Sequence, residues 1–127
     1  MNGRVYFAGR LQMSDLQVIT KMALAGLSVE KDMGLNYRYA LPNKLFDYMS
    51  AGIPVIVSAL PEMKCVVETY KTGIVIKETS PHAIAAAIQD LTDSPEMVKV
   101  FTENSLIAAQ ELCWENEEEI LKKIFTF

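Results

Sequence analysis

Short runs of branched apolar residues alternate along the chain with longer amphipathic stretches, and Gly, Pro and Ser fall between them where helix ends need them. That alternation is the pattern of an α/β fold. Arg4 to Phe7 reads as a first strand. Ser14 with Gln17 has the spacing of a capping box and opens a helix that turns Leu16, Ile19, Ala23 and Leu24 inward until Gly26 stops it. Leu27 to Val29 reads as a second strand, followed by a polar and aromatic loop from Glu30 to Leu41. Pro42 suits the first turn of the next helix, which Gly52 and Pro54 end. Val55 to Ser58 is apolar on both faces and predicts a strand inside a parallel sheet covered on both sides.

The remaining punctuation continues the alternation. Pro61 opens a helix with the inward stripe Met63, Val66, Val67 and Tyr70, closed by Gly73, and Ile74 to Ile76 reads as a fourth strand. Ser80–Pro81 and Ser94–Pro95 each place a cap before a first-turn proline, predicting helices through Asp90 and to about Leu112. A last helix follows, with Glu118 and Glu119 four residues ahead of Lys122 and Lys123 and an apolar face of Ile120, Leu121, Ile124 and Phe125. Neither an internal repeat nor a linker interrupts this, so residues 1–127 read as one domain.

Composition narrows the partners more than the fold. The chain has 127 residues, half of them hydrophobic, and a net charge of -4. A chain of that length buries roughly two-thirds of its unfolded surface and needs no disulfide or structural metal. The acidic balance offers no field to collect nucleic acid, so a phosphate has to be held locally. Cys65 and Cys113 form no zinc or disulfide pattern, and the methionines and cysteines read as packing. Met1 to Ala8 lacks a signal peptide's apolar core. The longest apolar run, Ile53 to Leu60, falls short of the ~20 residues of a membrane span. The expectation is a cytoplasmic protein without a transmembrane segment.

Candidate chemistry sits where the chain leaves a strand and enters a helix, because ligands of open parallel sheets collect beyond the carboxyl ends of the strands. Lys44 in a first helical turn is placed against the helix dipole, which there prefers anions. Either Lys44 and the helix N–H groups share a bound phosphate, or Lys44 is a tolerated surface lysine. Arg38 either joins that phosphate or is solvated loop charge. Asp47, three residues on, either pairs with Lys44 or accepts hydrogen bonds from a diol such as a ribose. Glu62 either contacts a ligand from its own helix start or answers that helix's dipole. His82 has no partner and reads as a solvated helix residue, and Trp114 as a packing anchor.

The run Pro42-Asn43-Lys44-Leu45-Phe46-Asp47-Tyr48-Met49-Ser50-Ala51-Gly52-Ile53-Pro54-Val55-Ile56-Val57-Ser58 resembles the signature of the group 1, or family four, glycosyltransferases. Val5 to Arg10, Leu60 to Met63, Gly73 to Val75 and Trp114-Glu115 resemble the flanking elements of that family. The resemblance implies a Rossmann-like parallel sheet of about four strands with flanking helices, an incomplete C-terminal half of the two-domain GT-B architecture. It implies donor binding in a retaining transferase of polysaccharide or glycoconjugate synthesis, with a nucleotide diphosphate sugar as substrate and no metal or other cofactor. The backbone N–H groups near Leu41 and Asn43, with Lys44, would face the donor diphosphate, and Asp47 would take the place of the glutamate that holds the ribose. Gly9, Arg10 and Leu11 would line the base pocket, and Glu62 would contact the donor.

The acceptor half of that family, and the first two strands of its donor half, have no counterpart here. The expectation is therefore a fragment that is inactive alone and needs a missing N-terminal half or a separate subunit, through which it would sit at the inner face of the membrane. The alternative is a noncatalytic nucleotide-sugar or partner-binding module of a split enzyme. The strand at Arg4 to Phe7 would lose its usual neighbours and must pair beside Leu27 to Val29 or present an open edge.

Overall fold

A computed structural model describes residues 3–126; Met1 and Asn2, read above for a leader, lie outside it with Phe127. Three parallel strands form the sheet in the order β1 (Gly26–Ser28), β2 (Val55–Ser58), β3 (Gly73–Ile76). Helix α1 (Met13–Lys21) precedes β1. A one-turn helix α2 (Leu35–Arg38) and α3 (Asn43–Ala51) join β1 to β2, and α4 (Pro61–Tyr70) joins β2 to β3. Helices α5 (Pro81–Asp93), α6 (Pro95–Glu111) and α7 (Trp114–Ile124) close the chain.

The core follows from the two-residue period of β2. Val55 and Val57 turn to one face and meet Leu45 and Met49 of α3, Met63 and Val67 of α4, and Ala108 of α6. Ile56 turns to the other and meets Ile76 of β3 with Ala87 and Leu91 of α5. All four residues of β2 are buried, as a strand covered by helices on both faces requires. Two buried hydroxyls differ sharply. Ser105 Oγ on α6 donates to the Ile53 carbonyl at 3.2 Å, whereas Thr72 Oγ1, fully buried, has no partner.

Local signals explain most helix ends. Gly52 stops α3 in the left-handed conformation at φ 74°. Ser80 and Ser94 accept hydrogen bonds from the Ala83 and Met97 amides, opening α5 and α6 as expected. Lys122 pairs with Glu118 at 3.2 Å and with Glu119 at 3.3 Å.

Several expectations are corrected. Among the described residues the sheet has three strands and not four: Arg4 to Phe7 joins no strand, and Tyr6 and Phe7 are each 84% exposed in irregular chain. The Ser14 capping box does not form, since α1 starts two residues earlier than that cap requires, with Gln12 at its cap position. Gly26 does not stop α1; it begins β1, where any Cβ would stand 2.3 Å from the Tyr48 ring. Gly73 does not close α4 either. Lys71 does so at φ 54°, and Gly73 begins β3 with its missing Cβ aimed 1.8 Å from the Val55 carbonyl oxygen. Trp114 is 64% exposed and belongs to neither buried cluster, and Cys65 is exposed.

Candidate functional site

The chain leaves β1 at its carboxyl end, passes through residues 29–42, which include the single turn α2, and enters α3 at Asn43, whose first turn returns to the rim the chain left. Pro42 occupies the cap position with no side-chain hydrogen bond to the first turn. That end of α3 therefore carries free donor capacity and the positive end of the helix dipole.

Lys44 in this first turn is not left against the dipole alone. Its Nζ lies 2.5 Å from Glu30 Oε1, just beyond β1. Ser28 Oγ, buried at the end of β1, is 2.8 Å from Glu30 Oε2, and Ser58 Oγ, at the end of β2, donates to the Glu30 backbone carbonyl at 2.6 Å. Glu30 thus ties together both strand ends and the helix start. Burial pushes its carboxyl up, but the hydrogen bonds from Lys44 and Ser28 outweigh this and leave it below the ordinary value. Sequence reasoning passed over Glu30. The signal that marks it is positional: Glu30 is the first charged residue after the strand, at the carboxyl rim where ligands of open parallel sheets collect.

The expected residues divide across α3. Lys44 and Asp47 line a cleft of about 300 Å³ between α1 and α3, with Met13, Leu16, Gln17 and Lys21 opposite. Leu41 and Asn43 line a separate cleft of about 610 Å³ on the other flank, with Phe46, Val66 and Trp114. Lys44 and Asp47 form no ion pair, since Lys44 turns to Glu30. Arg38 is held by Asp32 through three hydrogen bonds of 2.9–3.3 Å and does not join Lys44. Gly9, Arg10 and Leu11 lie in irregular chain ahead of α1 and line neither cleft. Glu62 stands exposed in the first turn of α4, directly after the β2 rim, and also lines neither.

A lysine, a carboxylate one turn later and an uncapped helix start suit an anion joined to a polyol. No three His, Cys, Asp or Glu residues cluster among the described residues, and no helix there is long and apolar enough to cross a membrane.

Comparison with known proteins adds two findings. The family model described as "Glycosyl transferases group 1" matches residues 1–106. Among solved structures, sucrose-phosphate synthase from Thermosynechococcus elongatus is similar in fold, with a TM-score of 0.76 and 23% sequence identity over 98% of this chain. The chain spans 31% of that protein's length. No curated protein matches it.

Proposed function

With the chain a member of the group 1 glycosyltransferases, whose chemistry is glycosyl transfer, we propose that it supplies the donor side of a retaining enzyme of polysaccharide or glycoconjugate synthesis. The uncapped turn at Asn43 and Lys44 receives the diphosphate of a nucleotide sugar, and Asp47 accepts the ribose hydroxyls. Leu41 and Glu62 approach from the flanks, and Gly9 to Leu11 approach the base. No metal takes part. Transfer requires an acceptor half, in the same polypeptide or in a separate subunit, because holding donor and acceptor together supplies much of the rate. The cytoplasm, where nucleotide sugars are the substrate, is the proposed place of action.

The observation that supports this reading is the placement of Lys44 and Asp47 along one cleft, on a helix whose first turn reaches the carboxyl end of β1 through Lys44 and Glu30. A second reading, a noncatalytic nucleotide-sugar module of a split enzyme, draws support from the free edge of β1. Gly26 donates to the Pro54 carbonyl at 2.9 Å, so alternation turns the backbone of Leu27 away from the sheet. No strand pairs there among the described residues, and the Tyr48 hydroxyl donates to the Leu27 carbonyl at 3.3 Å, so only part of that edge is left for another strand.

Calorimetry with uridine and guanosine diphosphates tests the donor site. Lys44→Ala is expected to weaken binding about tenfold or more, the loss of one charge-assisted hydrogen bond, while His82→Ala leaves it unchanged. Absence of heat with either nucleotide at millimolar concentration, or equal effects of the two substitutions, removes the reading.

A further inference from the structure

Lys44 is a cation that already has an anion. Its ammonium is 2.5 Å from a Glu30 carboxylate that is itself hydrogen-bonded at 2.8 Å by Ser28 and anchored through its backbone by Ser58. The Glu30 side chain is 22% exposed and that of Lys44 46%. The pair therefore sits at the rim, partly shielded, with one side of the ammonium open to solvent. A helix start and a single lysine attract one anionic group strongly, and here the protein provides it from within.

We propose that Glu30 is an internal counter-anion that competes with the donor's diphosphate for Lys44, and so sets the affinity of the site. The proposal rests on the donor-binding reading above. A diphosphate entering the α3 start must take over the Lys44 ammonium, and Glu30 must then turn away or face a second anion across it. The ligand-free chain is held in the Glu30–Lys44 state. The apparent affinity is lowered by the fraction of molecules in which that pair is intact, as for any ligand that needs a minor conformer. Ser28 and Ser58 deepen the competition by holding the carboxylate in place. Nothing comparable holds Asp47, which lines the α1–α3 cleft beside Lys44 without a salt-bridge partner among the described residues.

Replacing the carboxylate with its neutral isostere separates this role from a purely supporting one. Glu30→Gln keeps the size of the side chain and removes the charge. Binding of inorganic pyrophosphate and of uridine diphosphate to the full chain is measured by calorimetry, beside the wild type and Asp32→Asn. Asp32→Asn deletes the same charge from the neighbouring Arg38 pair. Glu30→Gln is expected to tighten pyrophosphate binding about fivefold, in line with release of a partly exposed ion pair, with Asp32→Asn within twofold of wild type.

Weaker or unchanged binding in Glu30→Gln overturns the proposal and makes Glu30 a support for Lys44. An equal gain in both variants overturns it as well, since net charge alone then explains the effect. Wild-type binding that Lys44→Ala abolishes, with no gain in Glu30→Gln, leaves the donor site standing and removes only the competition. No binding by any variant removes both. If Glu30→Gln shows no cooperative thermal melt, the wild-type structure with pyrophosphate bound decides: a Glu30 carboxylate still within 4 Å of Lys44 Nζ overturns the proposal.

Discussion

The stretch from Asn43 to Ala108 and the stretch from Arg4 to Leu24 are similarly rich in apolar residues, yet only the first builds a core. Leu45, Met49, Val55, Ile56, Val57, Met63 and Leu91 are at most 1% exposed, whereas α1 contains no buried residue and Leu16, Val18 and Ile19 are each at least 44% exposed. The difference lies in neighbours. Strand β2 has strands on both sides and helices on both faces, while Arg4 to Phe7 has none and α1 touches mainly α3. Apolar pattern supplies the tendency, and burial stabilises it only when a second surface exists.

The largest test of this contrast is steric. Gly73→Ala drives a methyl group against the Val55 carbonyl, at the junction of β2 and β3, and is expected to abolish the cooperative urea transition or to cost several kcal/mol. Ile56→Ala is expected to cost about 2–5 kcal/mol by urea denaturation, as buried large-to-small changes do. Thr72→Val, which replaces an unpartnered buried hydroxyl with a methyl of similar shape, is expected to stabilise by about 1 kcal/mol in the same experiment. Leu16→Ala in α1 is expected to cost less than about 1 kcal/mol. A loss as large as that of Ile56→Ala would mean that α1 belongs to the cooperative core in solution.

The smallest expected effect depends on pH. Glu30 has a folded-state value below its ordinary one of 4.5, so its contribution is present above that value and disappears as pH falls through the lower folded value. Melting temperatures of wild type and Glu30→Gln, followed from pH 7 to pH 3, are expected to converge toward the acid end. A constant offset between the two curves would show that Glu30 does not titrate as the folded geometry requires.

How much was legible follows the same division. Gly52, Pro54, Ser80 and Ser94 are local signals that act within a few residues, and the element ends they mark stand where the sequence placed them, whereas Pro42, expected inside the first turn of α3, sits at its cap position. In the sequence Gly26 and Gly73 look like helix stops, because a glycine looks alike whether it relieves a turn or a close approach. Only the Tyr48 ring and the Val55 carbonyl, both distant in sequence, decide. Arg4 to Phe7 has the residues of a strand but no partner to become one with. In the candidate site, Lys44 and Asp47 share a flank as a spacing of three residues predicts. The role of Glu30 depended on a loop folding back, which no periodicity encodes.

The tip of α3 behaves as a ridge, with Lys44 and Asp47 draining to one slope and Leu41 and Asn43 to the other. The two clefts share no lining residue, so a guest that touches all four has to be long enough to cross the crest, and on the proposed reading the donor's length counts beside its charge.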